Sequence, residues 1–412
     1  NTVCLTRKYH PHYDQVLLSA FRSQDFFLLV GPPGTGKTSM ALRFMVEEEI
    51  ARGTCGVLLT AYTNMAVDEI CAMLNDAGIG FLRIGGESSC DERFRDRLFE
   101  NAVGGLDTVE NMRDAVRSVA VIVGTTSMLQ SRPSVFGLKH FSLAIVDEAS
   151  QILEPALIGI LSAHDGAGRC CIDRFILVGD HKQLPAVVQQ SETDSRVDDP
   201  LLHGIGLTDC RNSLFERLMN IERRGGRKCF VGLLDRQGRM HPDVARFAET
   251  MFYTGENLRP VPLSHQLEAS LGYDLPAEDA MDGLLKVRRM IFIPVEDDNA
   301  GRLSDKVNVA EADMAADIVR RIYRFYGERF DPDKTIGVIV PYRNQIAMIR
   351  RRLAALGISA LDRISIDTVE RFQGSQRDVI IYSFTVHRRS QLAFLTANTF
   401  IENGRVIDRK LN

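Results

Sequence analysis

Short apolar runs separated by helical patterns organise the chain. "FFLLV" (26–30), "GVLLT" (56–60), "FLRI" (81–84), "VAVIVG" (119–124), "LAIVD" (143–147) and "FILVGD" (175–180) are apolar throughout rather than alternating. Strands covered on both faces have this signature, so each run predicts a buried parallel strand. Between them, "SMALRFMVEEEI" and "MAVDEICAML" carry helical spacing. That succession predicts a doubly wound α/β domain. A second series predicts another: "CFVGLL" from residue 229, "RMIFIPV" (289–295), "TIGVIV" (335–340), "RISID" (363–367) and "DVIIYSF" (378–384). "IERRGGRK" (221–228) reads as a solvated joint between the two, which sets expected domains at 1–228 and 229–412. Segment 87–119 is polar, with helical spacing and no strand, and is expected to be a small helical insertion in the first domain.

Bulk properties narrow this only a little. The 412 residues suit two or three domains. A net charge of −4 and a pI near 6.2 do not advertise a nucleic-acid binder, although a local basic groove can sit on an acidic protein. The eight cysteines, at 4, 55, 71, 90, 170, 171, 210 and 229, form no C-x-x-C pair, so free thiols in a reducing compartment are expected rather than a metal or iron–sulfur site. No apolar run reaches transmembrane length, and no signal-peptide pattern opens the chain. A soluble intracellular protein is expected, in the cytoplasm or nucleoid, or in the nucleus of a eukaryote.

Candidate chemistry begins with "GPPGTGKT" (31–38), which fits G-x-x-x-x-G-K-[ST] and lies between a predicted strand and a predicted helix. Gly31, Gly34 and Gly36 let the backbone wrap a phosphate chain with N–H groups pointing inward, and the helix N-terminus adds positive potential. Gly34, Thr35, Gly36, Lys37, Thr38 and Ser39 form the expected nucleotide cradle. Lys37 would meet the β- and γ-phosphates, and the Thr38 hydroxyl would bind Mg²⁺. "LAIVDEAS" places Asp147 and Glu148 at the end of a predicted strand, where α/β sheets bind ligands. Asp147 would hold Mg²⁺ with Thr38, and Glu148 would accept a proton from the attacking water. Acidic pairs after strands are often only solvated; with the cradle upstream, this pair points to nucleotide hydrolysis.

Further motifs choose the machine. "LLTAYTNMAVDEI" (58–70), "VIVGTTSML" (121–129), "FILVGDHKQLPAVV" (175–188), "SLFERL" (213–218), "QGRMHPDVARFAETMFY" (237–253), "IGVIVPYRNQ" (336–345) and "IDTVERFQGSQRDVIIYSF" (366–384) follow in order. Together they resemble the motif series of superfamily 1 helicases, in the branch of the nonsense-mediated-decay RNA helicase, senataxin and the DNA-replication helicase/nuclease. The resemblance implies two tandem RecA-like (P-loop NTPase) domains with mostly parallel sheets. It also implies ATP and Mg²⁺ use, and 5′→3′ movement on single-stranded nucleic acid, DNA more than RNA, with duplex unwinding. A nuclease or other domain elsewhere in the parent chain is a further implication.

Residue by residue, the resemblance implies that Gln15 reads adenine and that Gln183 senses the γ-phosphate. Arg239 would reach the transferring phosphoryl group from the second domain. Gly374 and Gln376 would lie near the nucleotide. Thr63, Asn64, Thr125, Thr126, Tyr342, Arg343 and Thr368 would touch the nucleic-acid strand on the opposite face. Taken singly, such residues more often cap helices; Asn64, for instance, could cap a helix beginning at Met65. Three positions depart from the family pattern. Gly238 stands where an aromatic is usual before the arginine, Gln376 where an acid is usual, and Glu370 where Asp is usual. "DRKLN" (408–412) matches the opening of the family's last motif, whose arginine would follow, so residues 1–412 alone are expected to bind ATP better than they hydrolyse it. Two other readings stand beside the motor: a nucleotide-gated binding module or scaffold with little turnover, and, less supported, a P-loop kinase.

Overall fold

A computed structural model describes residues 3–54, 56–106, 108–296 and 304–412. Asn1, Cys55 and Asp107 of the expected insertion lie outside the described residues. Seven strands form one parallel sheet: β1 (Phe26–Val30), β2 (Val57–Ala61), β3 (Phe81–Ile84), β4 (Val121–Thr125), β5 (Leu143–Val146), β6 (Phe175–Gly179) and β7 (Val231–Leu233). Their order is β3-β4-β2-β5-β6-β1-β7. All six strands expected in the first series are present. Their side chains alternate between two cores, which is why the sequence runs are apolar throughout. On one face Leu29, Leu59, Val123, Ile145 and Val178 pack with helices α1 (Asp14–Arg22), α2 (Arg43–Ala51) and α3 (Asn64–Asp76). On the other, Leu28, Val146 and Leu177 pack with Phe215 and Met219 of the helix Leu214–Arg224.

Two expectations near residue 229 are corrected. "CFVGLL" does not open a second sheet: β7 pairs parallel with β1, Leu28 opposite Val231 and Val30 opposite Leu233. Gly232 is what permits this, because a Cβ there would come within 2.7 Å of the Phe27 ring. "IERRGGRK" is not a joint. Its first four residues finish the helix Leu214–Arg224, and Arg227 turns back to pair with Glu222 at 2.7 Å. The chain divides into two compact units after Met240 rather than at 228, and the first unit also contains Glu249–Gln266. Within that unit a short parallel pair follows, β8 (Arg236–Gln237) with β9 (Arg259–Pro260). Segment 87–119 carries turns of 3₁₀ helix at Glu87–Ser89 and Glu92–Arg97 and α-helices at Phe99–Val103 and Val109–Ser118.

The second unit, His241–Ala248 with Leu267–Asn412, holds a three-stranded parallel sheet. It consists of β10 (Ile336–Ile339), β11 (Ser365–Asp367) and β12 (Val379–Tyr382), in the order β11-β10-β12. The helices Val309–Tyr326 and Arg343–Ala354 cover it, with Val319, Ile322, Val338, Ile349 and Leu353 in the core. The strand expected at 289–295 is absent. Ile291 and Ile293 pack on this core while Met290 and Phe292 face outward, but the segment joins no ladder. A hairpin, β13 (Thr399–Glu402) and β14 (Arg405–Asp408), turns through Asn403 and Gly404, both at positive φ. That is the Asn-Gly geometry that matches strand twist.

Candidate nucleotide site and nucleic-acid contacts

Because the large sheet is parallel, the loops after β1, β5 and β6 leave it at the same edge from adjacent strands. The cradle follows β1, Asp147 and Glu148 follow β5, and Gln183 lies in the loop after β6. The Gly31 N–H donates to the Gly179 carbonyl (3.1 Å), fastening the start of the cradle to the end of β6. Gly34 and Gly36 hold φ of 75° and 71°, the left-handed region that favours glycine. Gly34 is also tight against its surroundings: a Cβ there would fall 2.5 Å from the Arg239 Cβ. Thr35 is buried, and its hydroxyl donates to the Pro32 carbonyl (2.8 Å). Lys37 opens a π-helical turn, Lys37–Leu42, that leads into α2, a widened turn often found at functional sites. Ser39 lies exposed on that turn.

Lys37, Thr38, Asp147 and Glu148 converge. The Thr38 hydroxyl donates to Asp147 Oδ2 at 2.5 Å, and Lys37 Nζ lies 2.7 Å from the Gly31 carbonyl and 4.0 Å from Glu148 Oε1. Asp147 is 2% exposed. Burial, then the neighbouring Glu148 carboxylate, pushes its pKa above the usual carboxylate range, while the Thr38 hydroxyl and Lys37 pull the other way. Glu148 sits at φ 49°, an uncommon backbone for a non-glycine residue. Gln151 donates to its Oε2 (3.2 Å). A hydroxyl beside a buried carboxylate is a hard-oxygen pair suited to Mg²⁺, and the positive-φ turn with its lysine suits a phosphate chain. The residues present fit both groups.

Arg239 lies in the first unit, not across from the second. Its loop meets the cradle directly: the Gly238 N–H donates to the Gly34 carbonyl (2.9 Å), and the Gln237 side chain accepts from Arg239 N (3.1 Å). Gln183 Nε2 donates to Asp180 Oδ2 (2.8 Å). Gln15 is exposed in the first turn of α1, and it is Tyr13, two residues earlier, whose hydroxyl donates to the Thr35 carbonyl (2.9 Å). Glu69 was also missed. Its carboxyl, accessible but crowded by protein, is raised by desolvation and by Asp147 and Glu148, with Arg239 opposing. Both signals were in the sequence, beside Gln15 and in the helix after "YTN", but neither residue type is distinctive alone.

In the first unit, Thr63 caps α3, its hydroxyl accepting from Ala66 N (3.1 Å), so Asn64 is the helix's first residue rather than its cap. Thr125 caps the helix Thr126–Ser131 in the same way (3.3 Å to Met128 N), and Thr126 is buried. In the second unit, Tyr342 and Arg343 start the helix after β10, and Thr368 precedes the helix Val369–Phe372 after β11. The Tyr342 ring stacks on Phe394 (centroids 5.2 Å apart, 18° between planes). Lys410 Nζ lies over Phe394 and 3.2 Å from Glu370 Oε1. Gly374 holds φ 84° in the turn that follows, and Gln376 is exposed.

Comparison with known proteins agrees with the motif order. Two family models, both described as "AAA domain", match this chain, one over residues 12–104 and 105–191 and the other over 210–402. The DNA replication ATP-dependent helicase/nuclease JHS1 of Arabidopsis thaliana is 29% identical over 381 residues, covering 91% of this chain and 25% of that protein. The DNA replication ATP-dependent helicase/nuclease DNA2 of Xenopus laevis is 29% identical over 387 residues, covering 90% of this chain and 33% of that protein. The chain thus spans a quarter to a third of the length of these relatives. Among solved structures, an arterivirus helicase, nonstructural protein 10, in complex with DNA aligns over 92% of this chain and 64% of that one; at 14% identity and a TM-score of 0.39 the likeness carries no argument. The ordered motifs, the parallel α/β sheets and the two relatives together place the chain: it belongs to the superfamily 1 helicases.

Proposed function

We propose that this chain is an ATP-dependent helicase motor on single-stranded nucleic acid, DNA more than RNA, moving 5′→3′ and separating duplex ahead of it. One observation carries the nucleotide half: the Thr38 hydroxyl, Asp147, Lys37 and Glu148 meet at the carboxyl edge of one sheet, beside a phosphate-sized turn. In this reading the backbone N–H groups of residues 34–38 and the Lys37 ammonium bind the phosphates. Thr38 and Asp147 would hold Mg²⁺, which supplies charge neutralisation on the phosphate oxygens. Glu148 accepts the proton of the attacking water, and Arg239 supplies a cation to the phosphoryl group as charge shifts. Gln183 responds to the γ-phosphate. Tyr13 braces the cradle through the Thr35 carbonyl, and Gln15, Gly374 and Gln376 are assigned to the nucleotide on the family resemblance alone.

The strand-binding half rests on residues placed at the carboxyl ends of β2, β4, β10 and β11. Thr63, Asn64, Thr125 and Thr368 bring hydroxyl, amide and backbone donors suited to phosphates, while Tyr342 and Arg343 add a ring and a cation. Thr125 and Thr126 are the weakest members, since both side chains are buried. A nucleotide-gated binding module with little turnover is the second reading, favoured by Gly238 and Gln376 standing where the family has an aromatic and an acid. Steady-state ATP turnover decides. Single-stranded DNA should raise it several-fold, and Lys37→Ala should lower it by on the order of 10²-fold. Turnover that ignores both DNA and RNA, with intact binding of each, would support the second reading.

A further inference from the structure

Asp180 is wholly buried in the loop after β6. Its N–H donates to the Ser150 hydroxyl (3.3 Å), and its Oδ1 accepts from Lys182 N (3.0 Å). Its Oδ2 takes two side-chain donors: Gln183 Nε2 at 2.8 Å and the Tyr253 hydroxyl at 2.5 Å. Tyr253 is 1% exposed and follows the helix Pro242–Met251 by two residues. Its neighbours are fastened to the same loop, Lys182 Nζ reaching the Phe252 carbonyl (2.9 Å) and Glu256 (2.6 Å). A buried carboxylate is tolerable only when hydrogen-bonded, so Asp180 needs these donors. Gln183 and Tyr253 share one oxygen of this carboxylate, so a turn of the carboxylate on losing one donor shifts the post offered to the other. The segment Glu249–Gln266 is also the stretch of chain through which the first unit continues from residues 241–248 of the second.

We propose that Tyr253 is a positioning residue for the nucleotide response: through Asp180 it fixes the Gln183 side chain that meets the γ-phosphate. The proposal rests on the nucleotide reading above. Without the tyrosine hydroxyl, Asp180 Oδ2 loses its shortest donor, the carboxylate can pivot about its remaining Oδ1 bond to Lys182 N, and Gln183 loses its fixed post. A misplacement of this kind costs selectively where a γ-phosphate is present.

The test measures affinity rather than turnover. A non-hydrolysable ATP analogue and ADP, each with Mg²⁺, are titrated against the full chain. The ratio of the two dissociation constants reads γ-phosphate recognition. Tyr253→Phe should weaken analogue binding by on the order of tenfold while leaving ADP within about twofold, and Gln183→Ala should do the same. The double variant should be no weaker than either single one, because both act on one post. Asp180→Asn, expected to behave like Tyr253→Phe, serves if that variant does not fold, with thermal unfolding as the check. An unchanged ratio in Tyr253→Phe beside a fall in Gln183→Ala, or losses that multiply in the double variant, overturns the proposal. If Lys37→Ala and Gln183→Ala both leave nucleotide binding untouched, the nucleotide reading itself fails and this inference falls with it.

Discussion

At the residue scale, Glu148 carries the most information beyond its identity. The Asp-Glu pair was legible because an apolar strand ended in it, but the backbone of Glu148 was not. A left-handed φ at a glutamate costs about 1 kcal/mol and persists where surrounding structure over-determines it. Here the constraint is visible: the Glu148 N–H is held by Asp147 Oδ1 (2.9 Å), and Gln151 holds the side chain. Activity and stability should therefore separate. Glu148→Gln should lower ATP turnover by roughly 10²–10⁴-fold with nucleotide affinity unchanged. Glu148→Gly should lose turnover as severely yet gain up to about 1 kcal/mol of stability, read by chemical denaturation. A glycine variant less stable than the parent would show that the backbone there is unstrained.

At the element scale, apolar runs located strands well and assigned them to sheets poorly. A run such as "CFVGLL" has the composition of a buried strand wherever it pairs. Its pairing with β1 depends on the fit of Gly232 against Phe27, and that is a tertiary fact. Residues 289–295 failed for a related reason: their apolar side chains alternate in burial as in a strand, but no neighbour offers a ladder. The reverse also occurred, since "NG" at 403–404 was a hairpin signal that composition alone left unread. Packing at β7 predicts that Gly232→Val costs about 1–3 kcal/mol, because the ring of Phe27 must move.

The second unit has a comparable fixed point in the helix Ala280–Val287. Burial would raise the Asp282 pKa, but the Glu278 N–H (2.9 Å), Arg321 (2.7 Å) and Arg324 outweigh it and bring it to about 2. A depressed carboxylate pKa contributes stability above the unfolded value near 4, and the contribution fades as pH falls toward 2. Asp282→Asn should therefore cost about 2 kcal/mol at pH 7, and the gap from the parent should close between pH 4 and pH 2, measured by denaturant midpoints. A gap independent of pH would mean that the loss is one of packing rather than charge.

At the scale of the whole molecule, net charge and site chemistry point in different directions. A chain of net charge −4 gains little non-specific attraction to a polyanion, so strand binding has to come from local donors. The donors proposed for it are modest in number: capping hydroxyls and helix starts after β2, β4, β10 and β11, with Arg343 exposed among them. Few of them are cations, and only cationic contacts release counterions in bulk. With Arg343 as the cation among the proposed contacts, the logarithm of the single-strand association constant should fall with a slope of about −0.7 against the logarithm of salt concentration. Much of the affinity should then survive at high salt through stacking on the Tyr342–Phe394 pair, which salt does not screen. Phe394→Ala should weaken binding by on the order of tenfold at every salt concentration and leave the slope unchanged, whereas Arg343→Ala should flatten it by about 0.7. A slope far steeper than these contacts allow would mean that the strand follows a basic track elsewhere on the molecule.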